Sequence, residues 1–302
     1  MNKYEISKTG FFSSFDNKNI KYSYHGNGEY KKILIIFQGR AEYLEKYMHI
    51  ADYYIKKDFL VFLMDWRGQG GSVRELGDPD KGYVSDFKDY QKDIDIFFKE
   101  IVAPFSNSFE IYGIAHSMGG HNLFRYIIEK ENPIFNKILF CSPMLGINTF
   151  PLPQSGAGFI AEKAVKFGFG KKYVIGTGKY KELNFKGNAL TSNREKFDEN
   201  LDFIKKNRNI AIGGPTYFWL YNAFKSMSFI DKNINSMNNN VKTAIVYGSS
   251  DRVVSIKKIV NACKYISYDC LEIPDARHEI MMESYKILDI FLKFADIFFD
   301  SF

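Results

Sequence analysis

The chain alternates between two hydrophobic rhythms. Short, mostly apolar runs, "KKILIIF" (31–37), "FLVFLM" (59–64), "FEIYGIA" (109–115), "NKILFCS" (136–142), "VKTAIVYG" (241–248) and "CLEIP" (270–274), read as strands, the first of them buried. Between them apolar residues recur at helical spacing. Leu44, Tyr47, Met48, Ala51, Tyr54 and Ile55 do so within 41–57, and Phe87, Tyr90, Ile94, Phe97 and Ile101 within 86–102. "MGGHNLFRYIIEK", "SIKKIVNACKYI" and "YKILDIFLKFADIFF" read as further helices, the last apolar around much of its circumference and so expected to be largely covered. Strand and helix in alternation predict an α/β fold with a mostly parallel sheet clothed on both faces.

The alternation stops at about residue 146 and resumes at about 235. The intervening stretch is rich in Gly, Pro, Asn and aromatic residues and poor in strand signals, and "FPLPQSGAGFIAEKAVKFGFG" and "GGPTYFWLYNAF" read as helices joined by loose turns. It is too aromatic to stay unfolded as a linker. The predicted organisation is therefore a core of residues 1–145 and 236–302 carrying an inserted cap, 146–235. Within it "GFGKKYVIGTGKY" resembles a phosphate loop but lacks the first Gly and the final Ser or Thr that such a loop requires, with Tyr173 and Tyr180 in those places.

Composition narrows the class. With 302 residues, 45% hydrophobic and 25% charged, the chain can bury a large core without staples. Three cysteines, Cys141, Cys263 and Cys270, are an odd and sparse set without metal-site spacing, which predicts no disulfide framework and a reducing, cytoplasmic setting. Residues 1–19 hold no long apolar signal region, and no run approaches a membrane span. The formal charge of +6 permits peripheral contact with the anionic inner face of a membrane. The absence of a dense Lys/Arg cluster argues against nucleic acid as a partner.

The candidate chemistry centres on "IAHSMGGHN". Ser117 stands between small residues, directly after a strand and directly before a helix, as in a G-x-S-x-G nucleophile elbow with Ala115 in the first Gly position. The competing reading is a serine capping the next helix. A serine hydroxyl needs a base. His25 lies in an early turn, and His49 and His121 lie in helices with packing roles. His116 adjoins the serine and should point away from its hydroxyl. His278, in "PDARHEI" after the last strand, fits the chain order serine, acid, histidine. Asp251, in "VYGSSDRVV", follows a strand and lies between them, while Asp231, Asp269 and Asp275 do not follow a strand in the right place. As an alternative, Asp251 serves only as a turn residue or helix cap. An oxyanion hole would take the Met118 N–H and one from the loop after the first buried strand, for which Arg40 is the candidate. The Arg40 side chain either meets an anionic head group or is solvated.

In "FQGRAEYLEKY", "DWRGQGGS", "AHSMGG", "LTSNREKFD", "GGPTYFWL", "GSSDRVV" and "ARHEI" the chain resembles the bacterial lysophospholipases within the monoacylglycerol-lipase-like α/β-hydrolases. These stretches run from about residue 38 to 280 in the family's order. The resemblance implies an α/β-hydrolase fold, a Ser117–Asp251–His278 triad, and a cap shaping an acyl pocket. It implies no metal or organic cofactor, and a lipid or other small ester as substrate, cleaved through an acyl-enzyme. Phe159, Phe167, Phe169, Tyr217, Phe218 and Trp219 are then expected in the cap core or along the acyl site. Two positions depart from the family: Gln38 replaces its usual His, and Ala115 its usual Gly. Rival readings are a small-ester esterase or aminopeptidase, with Glu162 or Glu182 available to meet a substrate amine, and a catalytically silent lipid binder.

Overall fold

The computed structural model describes residues 4–106, 109–237 and 240–301. Eight strands form one sheet: β1 (Ile6–Ser13), β2 (Asn19–Gly26), β3 (Lys32–Phe37), β4 (Phe59–Met64), β5 (Ile111–His116), β6 (Lys137–Cys141), β7 (Lys242–Gly248) and β8 (Cys270–Ile273). Their order is β1-β2-β4-β3-β5-β6-β7-β8. The β1–β2 and β2–β4 pairs are antiparallel, and from β4 to β8 every pair is parallel. The six apolar runs are β3 to β8.

Period-two alternation divides each central strand between two cores. On β3, Ile33, Ile35 and Phe37 join one cluster, while Leu34 and Ile36 join the other. The first cluster takes in helices α2 (Lys88–Phe97), α3 (Met118–Glu129) and α7 (Ile256–Ala262). The second takes in α1 (Met48–Ile55) and α8 (Tyr285–Asp300). Three further helices, α4 (Gln154–Lys166), α5 (Arg194–Lys206) and α6 (Tyr217–Asn233), occupy the stretch between β6 and β7.

Several expectations are corrected. The β1–β2 hairpin had no legible rhythm because β1 lies at the sheet edge and buries only Phe12. His25 therefore belongs to β2, 2.9 Å from Ser7, and not to a turn. Helix α5 carries little hydrophobic rhythm in the sequence, because only Phe197 and Ile204 of its thirteen residues are buried. Helix α8 buries a stripe, Ile287, Phe291, Ala295, Phe298 and Phe299, but leaves Tyr285 and Ile297 exposed.

The cysteine expectation also fails. Cys263, just after α7, is disulfide-bonded to Cys270, which opens β8. The tight turn between the two elements brings their Cα atoms to 5.9 Å, within bridging range. The inference of a reducing compartment loses its support with it. Among the described residues no helix is long and apolar enough to cross a membrane.

Candidate active site

The sheet reverses direction between β3 and β5. From β3 the chain steps outward to β4, and β5 then returns to the other side of β3. In an open parallel sheet, such a switch point opens a crevice at the carboxyl ends of the strands. The loop after β3 carries Gly39 and Arg40, and the turn after β5 is Ser117.

Ser117 has φ +51° and ψ −113°, a backbone conformation costly for a residue with a Cβ. Its N–H donates to the Cys141 carbonyl at 3.0 Å, and its own carbonyl accepts from Met144 at 2.9 Å and His121 at 3.0 Å. These bonds hold the strained turn. The crossing of α3 over β3 is close: a Cβ on Gly119 would lie 2.5 Å from the Phe37 carbonyl oxygen. Ala115, by contrast, is buried within β5 with its methyl accommodated.

Ser117 Oγ lies 2.9 Å from His278 Nε2, and His278 Nδ1 lies 2.7 Å from Asp251 Oδ2. All three residues are buried. With Nδ1 protonated toward the carboxylate, Nε2 is left to accept the serine proton. Asp251 Oδ1 accepts the Val253 and Val254 N–H groups at 2.8 and 3.1 Å, so it is a turn residue and a histidine partner at once. Burial alone would raise its pKa, but the His278 contact and the two N–H donors outweigh it and leave the group lower than usual. The rivals lie elsewhere: Asp231 pairs with Lys258, Asp269 accepts from Cys270 N–H, and Asp275 is in an exposed turn.

The loop after β3 is gripped by residues that the sequence did not single out. Gln69, in the loop after β4, donates through Nε2 to the Gly39 carbonyl at 2.7 Å and the Glu42 carbonyl at 3.0 Å. It accepts the Ala41 N–H at 3.2 Å. The planar trans peptide then turns the Arg40 N–H to the side opposite Gln69. The Met118 N–H is the first of α3 and has no carbonyl a turn earlier within the helix to bond.

The Arg40 side chain is half-buried and packed rather than simply solvated. It donates to the Gly213 carbonyl at 2.6 Å and lies over Trp219, 5.2 Å from the ring. Gln38, the departure from the family pattern, donates its side-chain amide to Asp65 at 2.8 Å, and its carbonyl accepts from the Trp66 indole at 2.7 Å.

His116 does point away from the serine, but it does more than pack. Its Nδ1 is 3.1 Å from Glu42 Oε2 and its Nε2 is 3.1 Å from the His278 carbonyl. Glu42 also accepts from Gly39 N–H, from Tyr47 Oη at 2.7 Å and from Lys46 at 2.8 Å, and Lys46 reaches Glu279 at 2.7 Å. This buried group thus ties the loop after β3 to the backbone of His278. Burial lowers the basicity of His116, but the Glu42 carboxylate overrides it and the net shift is upward. Burial pushes Glu42 up, yet Lys46 and His116 bring it well below the usual carboxylate range. Glu42 and Lys46, four residues apart, carry in sequence only the signal of a solvated helical pair. His121 packs as expected, bonded to the Met144 carbonyl and Ser226, with burial pushing its pKa down to about 3.

A cleft of about 680 Å³ opens over Ser117 and His278. Met144, Ile147, Leu183, Phe197, Trp219 and Leu220 give it apolar walls, and Lys179, Lys181 and Lys196 bring positive charge. Most of these residues come from the stretch between β6 and β7. Of the six aromatics expected there, Trp219 lines the cleft, Tyr217 is buried, Phe218 is half-buried against the Tyr83 ring, and Phe159, Phe167 and Phe169 are exposed.

Similarity to known proteins bears on what this arrangement belongs to. The chain is 33% identical over 212 residues to lysophospholipase L2 of Escherichia coli strain K12, a match covering 69% of this chain and 61% of that protein. The chain thus spans about three-fifths of the length of that relative. It is 27% identical to the probable lysophospholipase L2 of Haemophilus influenzae, over 93% of this chain and 89% of that one. In three dimensions it is similar to a soluble variant of monoglyceride lipase from Saccharomyces cerevisiae in complex with a substrate analog, with a TM-score of 0.80 at 16% identity. That likeness covers 99% of this chain and 97% of the other and attests the fold. Residues 28–285 match the family model described as Hydrolase_4, "Serine aminopeptidase, S33", and the chain belongs to that family of α/β-hydrolases.

Proposed function

We propose that the protein is a serine ester hydrolase that releases a fatty acid from a single-chain lipid, a lysophospholipid or a monoacylglycerol. The observation that carries this reading is the hydrogen-bonded series Ser117–His278–Asp251 at the floor of an apolar cleft with a basic rim. The names of the lysophospholipase relatives support the lipid class.

In this mechanism Ser117 Oγ attacks the ester carbonyl carbon as His278 Nε2 takes its proton. Asp251 holds the imidazole tautomer and stabilises the imidazolium. The N–H groups of Met118 and Arg40 receive the negative oxygen of the tetrahedral intermediate. Collapse expels the glycerol-side alcohol, which takes the proton back from His278, and leaves an acyl-serine. Water repeats the sequence, freeing the fatty acid and the serine. The stretch 146–235 acts as a cap whose apolar side chains receive the acyl chain. Peripheral contact with an anionic membrane, where such lipids reside, belongs to the same reading.

An aminopeptidase on this scaffold would need an uncompensated carboxylate to meet a substrate amine. Among the described cleft residues the carboxylates are Glu42 and Glu279, and both are engaged by Lys46. Glu162 and Glu182 do not line the cleft, and Glu182 pairs with Lys205. The test compares turnover of lysophosphatidylethanolamine, monoacylglycerol, a short p-nitrophenyl ester and an aminoacyl anilide. The lipid esters should be preferred, and exclusive turnover of the anilide would refute the reading.

A further inference from the structure

Helix α4 has its amphipathicity reversed. Its buried residues are the small ones, Ala157 and Ala161, set against α6, where a Cβ on Gly158 would already touch Phe224. Its two bulkiest apolar residues, Phe159 and Ile160, face out, and only Val165 of its larger side chains turns partly inward. A helix of a globular domain ordinarily does the opposite. The inversion continues on both sides of α4: Phe150 is 96% exposed, Phe167 70% and Ile175 85%, with Phe169 also outward. Of fifteen large apolar side chains exposed among the described residues, eight fall between 150 and 183. Singly exposed apolar residues are ordinary, but such a concentration marks an interaction surface.

The same stretch carries most of the protein's net charge. Residues 150–186 hold seven lysines against two glutamates, a net +5 out of +6 for the whole chain. Lysines accompany the exposed rings: the ammonium of Lys163 lies 5.1 Å from the Phe159 ring and that of Lys172 4.7 Å from Phe169. Aromatic and aliphatic groups interleaved with lysine ammoniums on flexible stems match the layered chemistry of a membrane interface.

We propose that this face of the inserted stretch, centred on α4 and the 167–175 turn, docks on an anionic lipid bilayer. A second copy of the chain is disfavoured as the occupant, because two such faces, each with Lys163, Lys166, Lys171 and Lys172 against the single carboxylate of Glu162, would repel each other. An anionic bilayer instead complements the charge and accepts the rings. The face also continues into the cleft. Residues 176–181 and Leu183 line its wall directly after exposed Ile175, so docking sets the opening against the lipid surface. A single-chain lipid then passes from bilayer to cleft without its chain crossing water. This inference rests on the lipid-ester reading above and names the surface that serves it.

The test uses the full chain with Ser117→Ala, so that vesicles stay intact during sedimentation. Binding is compared between phosphatidylcholine vesicles and phosphatidylcholine vesicles containing phosphatidylglycerol. Phe167→Ser with Phe169→Ser, and separately Lys163→Glu with Lys166→Glu, should each weaken binding to the anionic vesicles by roughly tenfold or more. On the active background both variants should hydrolyse a dissolved short ester as the parent does, which also reports their folding. Failure of the parent to bind anionic vesicles, or equal binding by parent and variants, would overturn the proposal. So would a dimer in size-exclusion chromatography that the Phe variants dissociate. Binding that depends on these residues, in a protein that turns over no lipid ester, would uphold the docking face and refute the lipid-ester reading.

Discussion

Gln69 Nε2 donates to the Gly39 carbonyl at 2.7 Å, and that carbonyl belongs to the peptide whose N–H is contributed by Arg40. Fixing one end of a planar peptide fixes the other. In the proposed mechanism Gln69 is therefore a positioning residue for the oxyanion site, acting from the loop after the next strand. Gln69→Leu should lower kcat for a short ester by roughly 10- to 100-fold with little change in KM, because the donor is misdirected rather than removed. Steady-state kinetics check this, and a variant with unchanged kcat would show that Arg40 needs no such support.

Ser117 holds φ at +51°, where a Cβ is strained. Ser117→Ala keeps the strain and Ser117→Gly relieves it. Both variants should be inactive, but the glycine variant should be the more stable, by about 1 kcal/mol. Urea denaturation of the two side by side measures the difference.

The buried pair Glu42–His116 gives stability a defined pH window. Glu42 has a depressed pKa, so its share is present above about pH 4.3 and is lost as pH falls through the depressed value. His116 has a raised pKa, so its share is complete below about pH 6.5 and is lost as pH rises through the raised value. Lys46, Tyr47, Glu279 and Cys141 face the same cluster. Glu42→Gln, which strips a buried charge of its partner, should cost on the order of 3 kcal/mol. The gap between wild type and variant should be widest between those two pH values and narrow on either side. Urea midpoints across the pH range test this.

Asp251 accepts two backbone N–H groups as well as His278. Asp251→Asn retains the shape of the turn but presents an amide to Nδ1, which favours the wrong tautomer. kcat should fall by about 10⁴ while labelling by a fluorophosphonate slows without the fold being lost.

Much of this was legible in the chain. Strands β3 to β7 are buried on both faces, so each reads as a mostly apolar run, whereas β8, at the sheet edge, buries only Ile273 fully; residues at the ends of β5, β7 and β8 follow from the chain order of an elbow fold. What stayed hidden depends on contacts distant in sequence. Gln69 and Glu42 acquire meaning only when the loops after β3 and β4 meet. The Cys263–Cys270 bridge needs the α7–β8 turn to be known. The outward Phe167 and Phe169 break the rule, on which sequence reading relies, that large apolar residues mark a core. Arg40 shows the same limit: its backbone place was predictable, but its side-chain partners, Gly213 and Trp219, lie more than 170 residues away.

The most direct measurement is fatty-acid release from lysophosphatidylethanolamine by the purified protein and by Ser117→Ala, with equal folding shown by circular dichroism. Release by the wild-type protein and none above background by the variant is the expected result. Equal release by both, or none by the wild type while Ser117 still reacts with a fluorophosphonate, would contradict a Ser117-dependent lysophospholipid hydrolase.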